Sequence, residues 1–301
     1  MLNWLFPILI GRGLMMGSKK IGFIGLGAMG FPMAKNLQKA GFELHVMAHR
    51  NRVPVEELVK DGAHEQTSLA EIVKHSEILI SILPADKEME EVLLSDEVIN
   101  HLTEKHILIE ATSGSPDMMK RVNSIYENKG VKVLDAPVSG GTTGAENGTL
   151  TVMSGGTDDV LQLVRPVLDA MAQNIYLVGP IGAGKAVKAI NQMLAGIHMV
   201  ASAEAVSLAS KLDVDFNMLK EVISNSSGAS WMLLNKLDTL ISKNFDPGFK
   251  LALMRKDIQI AVGEGTDRAL PLGAAALQLF RMAEKDFAEK DFAAISQLIL
   301  T

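Results

Sequence analysis

The stretch Lys20-Ile-Gly-Phe-Ile-Gly-Leu-Gly-Ala-Met-Gly30 decides how the rest of the chain is read. Its first half is a short apolar run ending in glycine, the pattern of a buried strand. Its second half, Gly25-Leu26-Gly27-Ala28-Met29-Gly30, has the G-x-G-x-x-G spacing, and helical periodicity follows at once over 29–40. Strand, glycine turn and helix in that order are what a dinucleotide fingerprint requires. The first glycine makes the tight turn, the second lets backbone approach a pyrophosphate, and the third lets helix and strand pack closely. The helix start then offers amide donors and a positive dipole to phosphate. Alone, the same spacing also describes a structural glycine turn; its place at the head of an alternating pattern favours the nucleotide.

Downstream the two structural periods alternate. The first helix ends at Gly41, suited to the left-handed position after a helix. Strands are expected at 43–48, 77–83, 107–110, 131–135, 150–154 and 175–178. Helices are expected at 55–61, 68–75 and 160–171, and Ser68 with Glu71 has capping-box spacing. Alternation through residue 178 predicts an α/β domain with a doubly wound, mainly parallel sheet.

After Gly184 the pattern changes. Val187, Ile190, Leu194, Ile197, Ala201, Ala205 and Leu208 mark one apolar stripe, expected to face the core of a helix about 28 residues long. The segments 218–224, 230–242, 251–264, 272–285 and 292–300 read as helices. The chain therefore divides into an extension (1–18), a dinucleotide-binding domain (19–180) and an all-α domain (181–301). The joint is Gly182-Ala-Gly-Lys-Ala-Val-Lys-Ala-Ile-Asn-Gln192, where Lys188 and Asn191 share a helical face. A lysine beside a hydride carrier is a credible proton donor and acceptor.

Composition narrows the function. A net charge of −6 without a basic run argues against nucleic-acid binding. With no cysteine there are no disulfides, zinc–thiolate sites or thiol catalysis, and the seven histidines show no metal-ligand spacing. Residues 1–10 are apolar but lack a basic n-region and fall short of the ~20 residues that span a bilayer. A translation start at Met15 or Met16 is the simpler reading, and an interfacial or packing segment is the other. No other segment reads as a membrane span, and a cytoplasmic location is expected.

The end of the second strand bears on the cofactor. Ala48, 18 residues after Gly30, stands where an acid would bind the ribose 2′-hydroxyl. It is followed by His49-Arg50-Asn51-Arg52, whose basic side chains suit a 2′-phosphate. A solvated basic loop would look the same, so NADP is favoured and NAD stays open.

Asp135-Ala-Pro-Val-Ser-Gly-Gly141 is an acidic strand end leading into a glycine turn, and its amides with the Ser139 hydroxyl can form a nest for a carboxylate. Four motifs then stand in order: the glycine fingerprint, Asp135 to Gly141, Gly182 to Gln192, and Lys256-Asp257-Ile258. Together they resemble the β-hydroxyacid dehydrogenase family, whose members include 3-hydroxyisobutyrate dehydrogenase, tartronate semialdehyde reductase and the glyoxylate/succinic semialdehyde reductases. The resemblance covers residues 20–298. It implies a Rossmann domain followed by an all-α domain, and a homodimer or homotetramer acting on a small carboxylate substrate. It makes Lys188 the acid/base and Asn191 the residue that orients substrate. Ser139, Gly140 and Gly141 become the carboxylate loop. Leu83, Pro84 and Ser113 become cofactor contacts, and Lys256 stands near nicotinamide and pocket.

The segment Glu110-Ala-Thr-Ser-Gly-Ser-Pro116 departs from the family's usual Asp-x-Ser-Thr, leaving open whether Thr112 or Ser113 touches cofactor. By the family register Lys188 is chosen over Lys185, which is expected to be a solvated first-turn residue. Trp231 and Phe249 are expected to pack the helical domain or, alternatively, wall the pocket. Imine reductases share the architecture but usually lack the lysine, 6-phosphogluconate dehydrogenase is much longer, and a non-catalytic dinucleotide sensor would not need Lys188 with Asn191.

Overall fold

The structure is a computed structural model and describes residues 19–300. The expectations for residues 1–18 lie outside the described residues. The strands are β1 (Lys20–Ile24), β2 (Glu43–Val46), β3 (His64–Glu65), β4 (Ile78–Ser81), β5 (Ile107–Glu110), β6 (Lys132–Asp135), β7 (Val138–Ser139), β8 (Leu150–Gly155) and β9 (Ala172–Gly179). The helices among them are α1 (Gly30–Lys39), α2 (Val53–Lys60), α3 (Leu69–Lys74), α4 (Asp86–Leu93), α5 (Asp96–Ile99), α6 (Pro116–Glu127), α7 (Gly141–Asn147) and α8 (Asp158–Asp169). The chain continues as α9 (Ala183–Lys211), α10 (Phe216–Ser224), α11 (Trp231–Ser242), α12 (Leu251–Glu264), α13 (Pro271–Phe287) and a 3-10 turn, Phe292–Leu298.

The sheet runs β3-β2-β1-β4-β5-β6-β8-β7, with β9 on β8. Pairings from β3 through β6 are parallel, and β8 meets β6 and β7 antiparallel. Alternate strand residues face opposite ways, as the pleat requires. Phe23, Ile80, Ile109 and Leu134 join the core under α1, α2 and α8. Ile24, Leu79, Leu108 and Val133 join the core under α3 to α6. Two-residue strands such as β3 and β7 escaped the sequence reading because they are too short to show a period.

The Ser68 cap forms, its Oγ accepting from Glu71 N at 3.2 Å. The reciprocal arm of the box does not, since the Glu71 carboxylate accepts from Lys74 at 2.8 Å instead. The last expected helix, 292–300, is a 3-10 turn held by Asp291, whose carboxylate accepts from Ala293 N at 3.0 Å.

Helix α9 overturns two expectations. Its 29 residues are long and apolar enough to cross a membrane by composition, contrary to the reading that no such segment lies outside the N-terminal stretch. It nevertheless packs as a core helix, against α11, α12 and α13. The face it turns to them is also not the expected one. Most buried positions are small or polar, including Ala195, Gly196, Ser202 and Ala203, with Met199 and Val206 the large apolar exceptions. None of the predicted core stripe is fully buried: Ile190, Leu194 and Leu208 are 53, 46 and 58% exposed, Ala201 is exposed too, and Val187, Ile197 and Ala205 are half-buried. The reason is distance. A Cβ on Gly196 would stand 2.4 Å from Ile258 Cδ1, so helices this close exclude large side chains from the contact.

Candidate active site

In the parallel part of the sheet the chain order reverses between β1 and β4, and such a switch point opens a crevice at the carboxyl ends of the strands. The glycine turn sits at that edge. Gly25 has φ +100°, and a Cβ there would stand 2.1 Å from the Ile82 carbonyl oxygen. A Cβ on Gly30 would stand 1.8 Å from the Gly25 carbonyl oxygen, so α1 packs on the strand end only as glycine. Gly27 is different: a Cβ would meet nothing within 4 Å. Its missing side chain leaves room for something other than protein, as a pyrophosphate requires. The flanking Leu26 and Met29 pack on the core, and Ala28 lies between them in the turn.

A cavity of about 740 Å³ continues from this turn to the helical elements. Met29, Leu83, Pro84 and Ser113 line its nucleotide side, and Ser139, Gly140 and Gly141 line a second wall. Lys188 and Asn191 reach it from α9, and Lys256 from α12. Of the two hydroxyls left open by the sequence, Thr112 is fully buried with Oγ1 accepting from Leu83 N at 2.8 Å, whereas Ser113 lines the cavity. Lys256 donates to the Ser113 carbonyl oxygen, tying α12 to the loop after β5.

Lys188 is 8% exposed. Burial pushes its ammonium below the ordinary lysine value; the Asp257 carboxylate opposes this and the Lys256 charge adds to it. Lys185 is not the solvated residue expected. It has no exposed surface and lies between Glu110 and Asp135, both also fully buried. Its ammonium donates to Glu110 Oε2 and to the Thr112 carbonyl oxygen (2.6 Å), and stands 3.4 Å from Asp135 Oδ1. Asp135 Oδ2 accepts from the backbone N–H of Gly182 and of Lys185, both at 3.1 Å. One cation thus fastens the ends of β5 and β6 to the first turn of α9, three residues before Lys188.

At the end of β2, His49 and Arg50 are exposed. Arg52 is engaged by Glu65 at 3.0 and 3.1 Å, leaving Arg50 and His49 as the basic groups beside Ala48.

Residues 20–179 match the family model described as the NAD binding domain of 6-phosphogluconate dehydrogenase. Residues 182–299 match the model described as NAD-binding of NADP-dependent 3-hydroxyisobutyrate dehydrogenase. An NAD-dependent L-serine dehydrogenase of Pseudomonas aeruginosa is 36% identical over 93% of this chain and 97% of its own. The chain belongs to the β-hydroxyacid dehydrogenase family. It is an NAD(P)-dependent oxidoreductase. A 3-hydroxyisobutyrate dehydrogenase of the same organism is 37% identical over 92% of this chain and 97% of its own. The solved Mycobacterium tuberculosis 3-hydroxyisobutyrate dehydrogenase with L-serine superposes with a TM-score of 0.86 at 31% identity, covering 94% of this chain and 99% of that one.

Of the cavity residues of this β-hydroxyacid dehydrogenase, Gln192, His198 and Lys236 escaped the sequence reading, whereas the sequence leaves Trp231 and Phe249 between packing and pocket wall. Gln192 lines the cavity, accepts from Asn191 Nδ2 at 3.1 Å and donates to Asp257 Oδ2 at 2.8 Å. A signal was present, since a residue four after Lys188 shares its helix face. Trp231 lines the cavity at 63% exposure rather than packing the helical core. Phe249 walls the cavity and also packs edge-on against Phe292, with ring centroids 6.2 Å apart. His198 and Lys236 had no sequence signal, because only the fold brings α9 and α11 to one cavity.

Proposed function

We propose that this protein interconverts a small 3-hydroxy acid and its semialdehyde, with Lys188 as acid/base and NADP preferred to NAD. 3-Hydroxyisobutyrate is the leading substrate, with tartronate semialdehyde and glyoxylate or succinic semialdehyde as alternatives. The observation that carries the reading is the burial of Lys188 in a cavity shared with Leu83, Pro84 and the Ser139–Gly141 turn. Bound NAD(P) takes or supplies the hydride. Ser139 and the amides of the glycine turn hold the substrate carboxylate. Lys188 takes the hydroxyl proton on oxidation and returns it on reduction. Asn191 commits one N–H to Gln192, which leaves its carbonyl oxygen for the substrate hydroxyl.

The test is a screen of NADPH and NADH oxidation with succinic semialdehyde, glyoxylate, tartronate semialdehyde and methylmalonate semialdehyde. 3-Hydroxyisobutyrate, threonate and serine are assayed in reverse. Strong activity with NADH alone would overturn the reading of Ala48 and Arg50. Inactivity towards every compound would overturn the substrate class.

The lysine assignment predicts a pH dependence with a definite sign. Oxidation needs the neutral amine, so kcat/KM should rise with pH through an inflection below the ordinary lysine value of 10.5. Reduction needs the ammonium and should fall through the same inflection. An oxidation profile without an inflection in that region would sink the assignment.

We also propose a homodimer closed across the outer face of α9. Ile190 and Leu208 on α9, with Leu212, Met218 and Val222 beyond it, are each more than half exposed, a run of large apolar groups that favours burial against a second copy. Sedimentation at micromolar concentration should give a dimer or tetramer. Leu208→Glu should weaken self-association by at least about thirtyfold, or ~2 kcal/mol. A monomeric wild-type protein would contradict the assembly.

A further inference from the structure

Residues 243–249 form neither helix nor strand, yet they carry Phe249 into the cavity. Such a segment cannot hold an aromatic ring in one place by its own backbone bonds. It is held from outside, by the Asp291 backbone N–H donating to the Phe245 carbonyl oxygen at 3.0 Å and by the Asp291 carboxylate. Asp291 is 1% exposed, and its Oδ2 accepts from Gly248 N at 3.2 Å and Phe249 N at 3.3 Å. Its Oδ1 accepts from Ala293 N at 3.0 Å, at the start of the 3-10 turn that contains Phe292. Phe292 N in turn donates to the Phe249 carbonyl oxygen at 2.9 Å.

The charge of this buried carboxylate is met by Lys236. The lysine reaches across from α11, with Nζ 2.9 and 3.0 Å from the two Asp291 oxygens and 4.9 Å from the centre of the Phe292 ring. Lys236, Phe249 and Phe292 all line the cavity. Without the ammonium, Asp291 would be a buried and unpaired charge that must draw water or move outward. Either response pulls on Gly248 and Phe249, because both N–H groups are fastened to it.

We propose that Lys236 is a positioning residue for substrate selection: by pairing with Asp291 it holds Phe249 and Phe292 as the fixed wall that chooses the substituent on C2 of the hydroxy acid. This rests on the substrate class proposed above. A rigid apolar wall separates substituents that differ by one methylene by about tenfold or more, and a loosened one does not.

The test uses the full-length protein as wild type, Lys236→Met and Lys236→Arg. Turnover is measured for 3-hydroxy acids that differ only at C2, carrying hydrogen, methyl, ethyl or hydroxymethyl. Lys236→Met should raise KM for the best substrate about tenfold, lower kcat by no more than about threefold and shrink the spread among substituents at least about fivefold. Lys236→Arg, which keeps the charge and can reach both carboxylate oxygens, should recover most of the spread.

Binding of acetate, propionate, isobutyrate and 2-ethylbutyrate to the dinucleotide-saturated protein, followed by Trp231 fluorescence, gives a second readout that needs no turnover. Wild-type discrimination among these acids that is lost in Lys236→Met supports the clamp even if every hydroxy acid is inert, an outcome that would count against the substrate class alone. Equal discrimination in wild type and Lys236→Met overturns the clamp. So does a variant that only melts earlier, with KM values and ratios intact.

Discussion

Lys188→Ala is expected to lower kcat about 10²- to 10⁴-fold in both directions, the usual worth of a positioned acid/base, or ~3–5 kcal/mol of barrier. The size of the loss follows from the surroundings. At 8% exposure Lys188 is held in one place against the cavity, and water entering the space it vacates would not be so positioned. Dinucleotide affinity should change far less, because the glycine turn and the loop after β4 are untouched. The pH inflection assigned to the lysine should disappear with it. Turnover near the wild-type rate would rule out the mechanism, and unaltered dinucleotide binding in an inactive wild type would favour a sensor.

Lys185→Met is the counterpart with the larger effect on stability. It should cost about 3–5 kcal/mol, because removing one partner from a buried ionic cluster leaves the others uncompensated. Glu110 retains its bonds from Thr112 N and Ser81 Oγ, and Asp135 those from two backbone amides, so secondary structure should survive. Melting should fall by roughly 5–15 °C. The deficit should depend on pH with a fixed sign. Burial already raises the Asp135 carboxyl above its ordinary value of 3.8 against the pull of Lys185, and losing the lysine raises it further. A carboxyl raised in the folded state binds its proton there, so its cost is absent in acid and grows as pH rises through the folded value. Lys185→Met should therefore look nearly wild type at low pH and weakest at neutral and alkaline pH. Adding Glu110→Gln should restore part of the loss. A deficit independent of pH would mean that the cluster is not ionised as described.

The two lysines show where sequence reasoning stops. They stand three residues apart in the first turns of one helix, and both fit a solvated or a catalytic role. Their difference is depth: Lys185 points into the strand ends and finds two carboxylates, while Lys188 points into the cavity. The family register chose the lysine that lines the cavity, but nothing local in the sequence said that the other was buried. The stripe on α9 failed for a related reason. Periodicity shows that one helix face differs from the other, and large apolar groups usually mark the inner one. Here close packing against α12 demands small residues such as Gly196 at the contact; Met199 and Val206 still reach the core, while Ile190 and Leu208 are left on the outer surface.

The glycine fingerprint, the alternation of periods and the change after Gly184 are local properties. They depend on φ values open to glycine and on which residues recur along a strand or helix, so they were legible in the chain itself. The doubly wound sheet, the helical second half and the nucleotide turn followed from them. The convergence of Lys188, Gln192, Asp257, Lys236 and Phe249 on one cavity is of another kind. Those residues are separated by up to 69 positions, and no spacing rule relates them. Their meeting is set by which helix faces can approach closely and by which buried charges find partners, and both are settled only when all the elements pack at once.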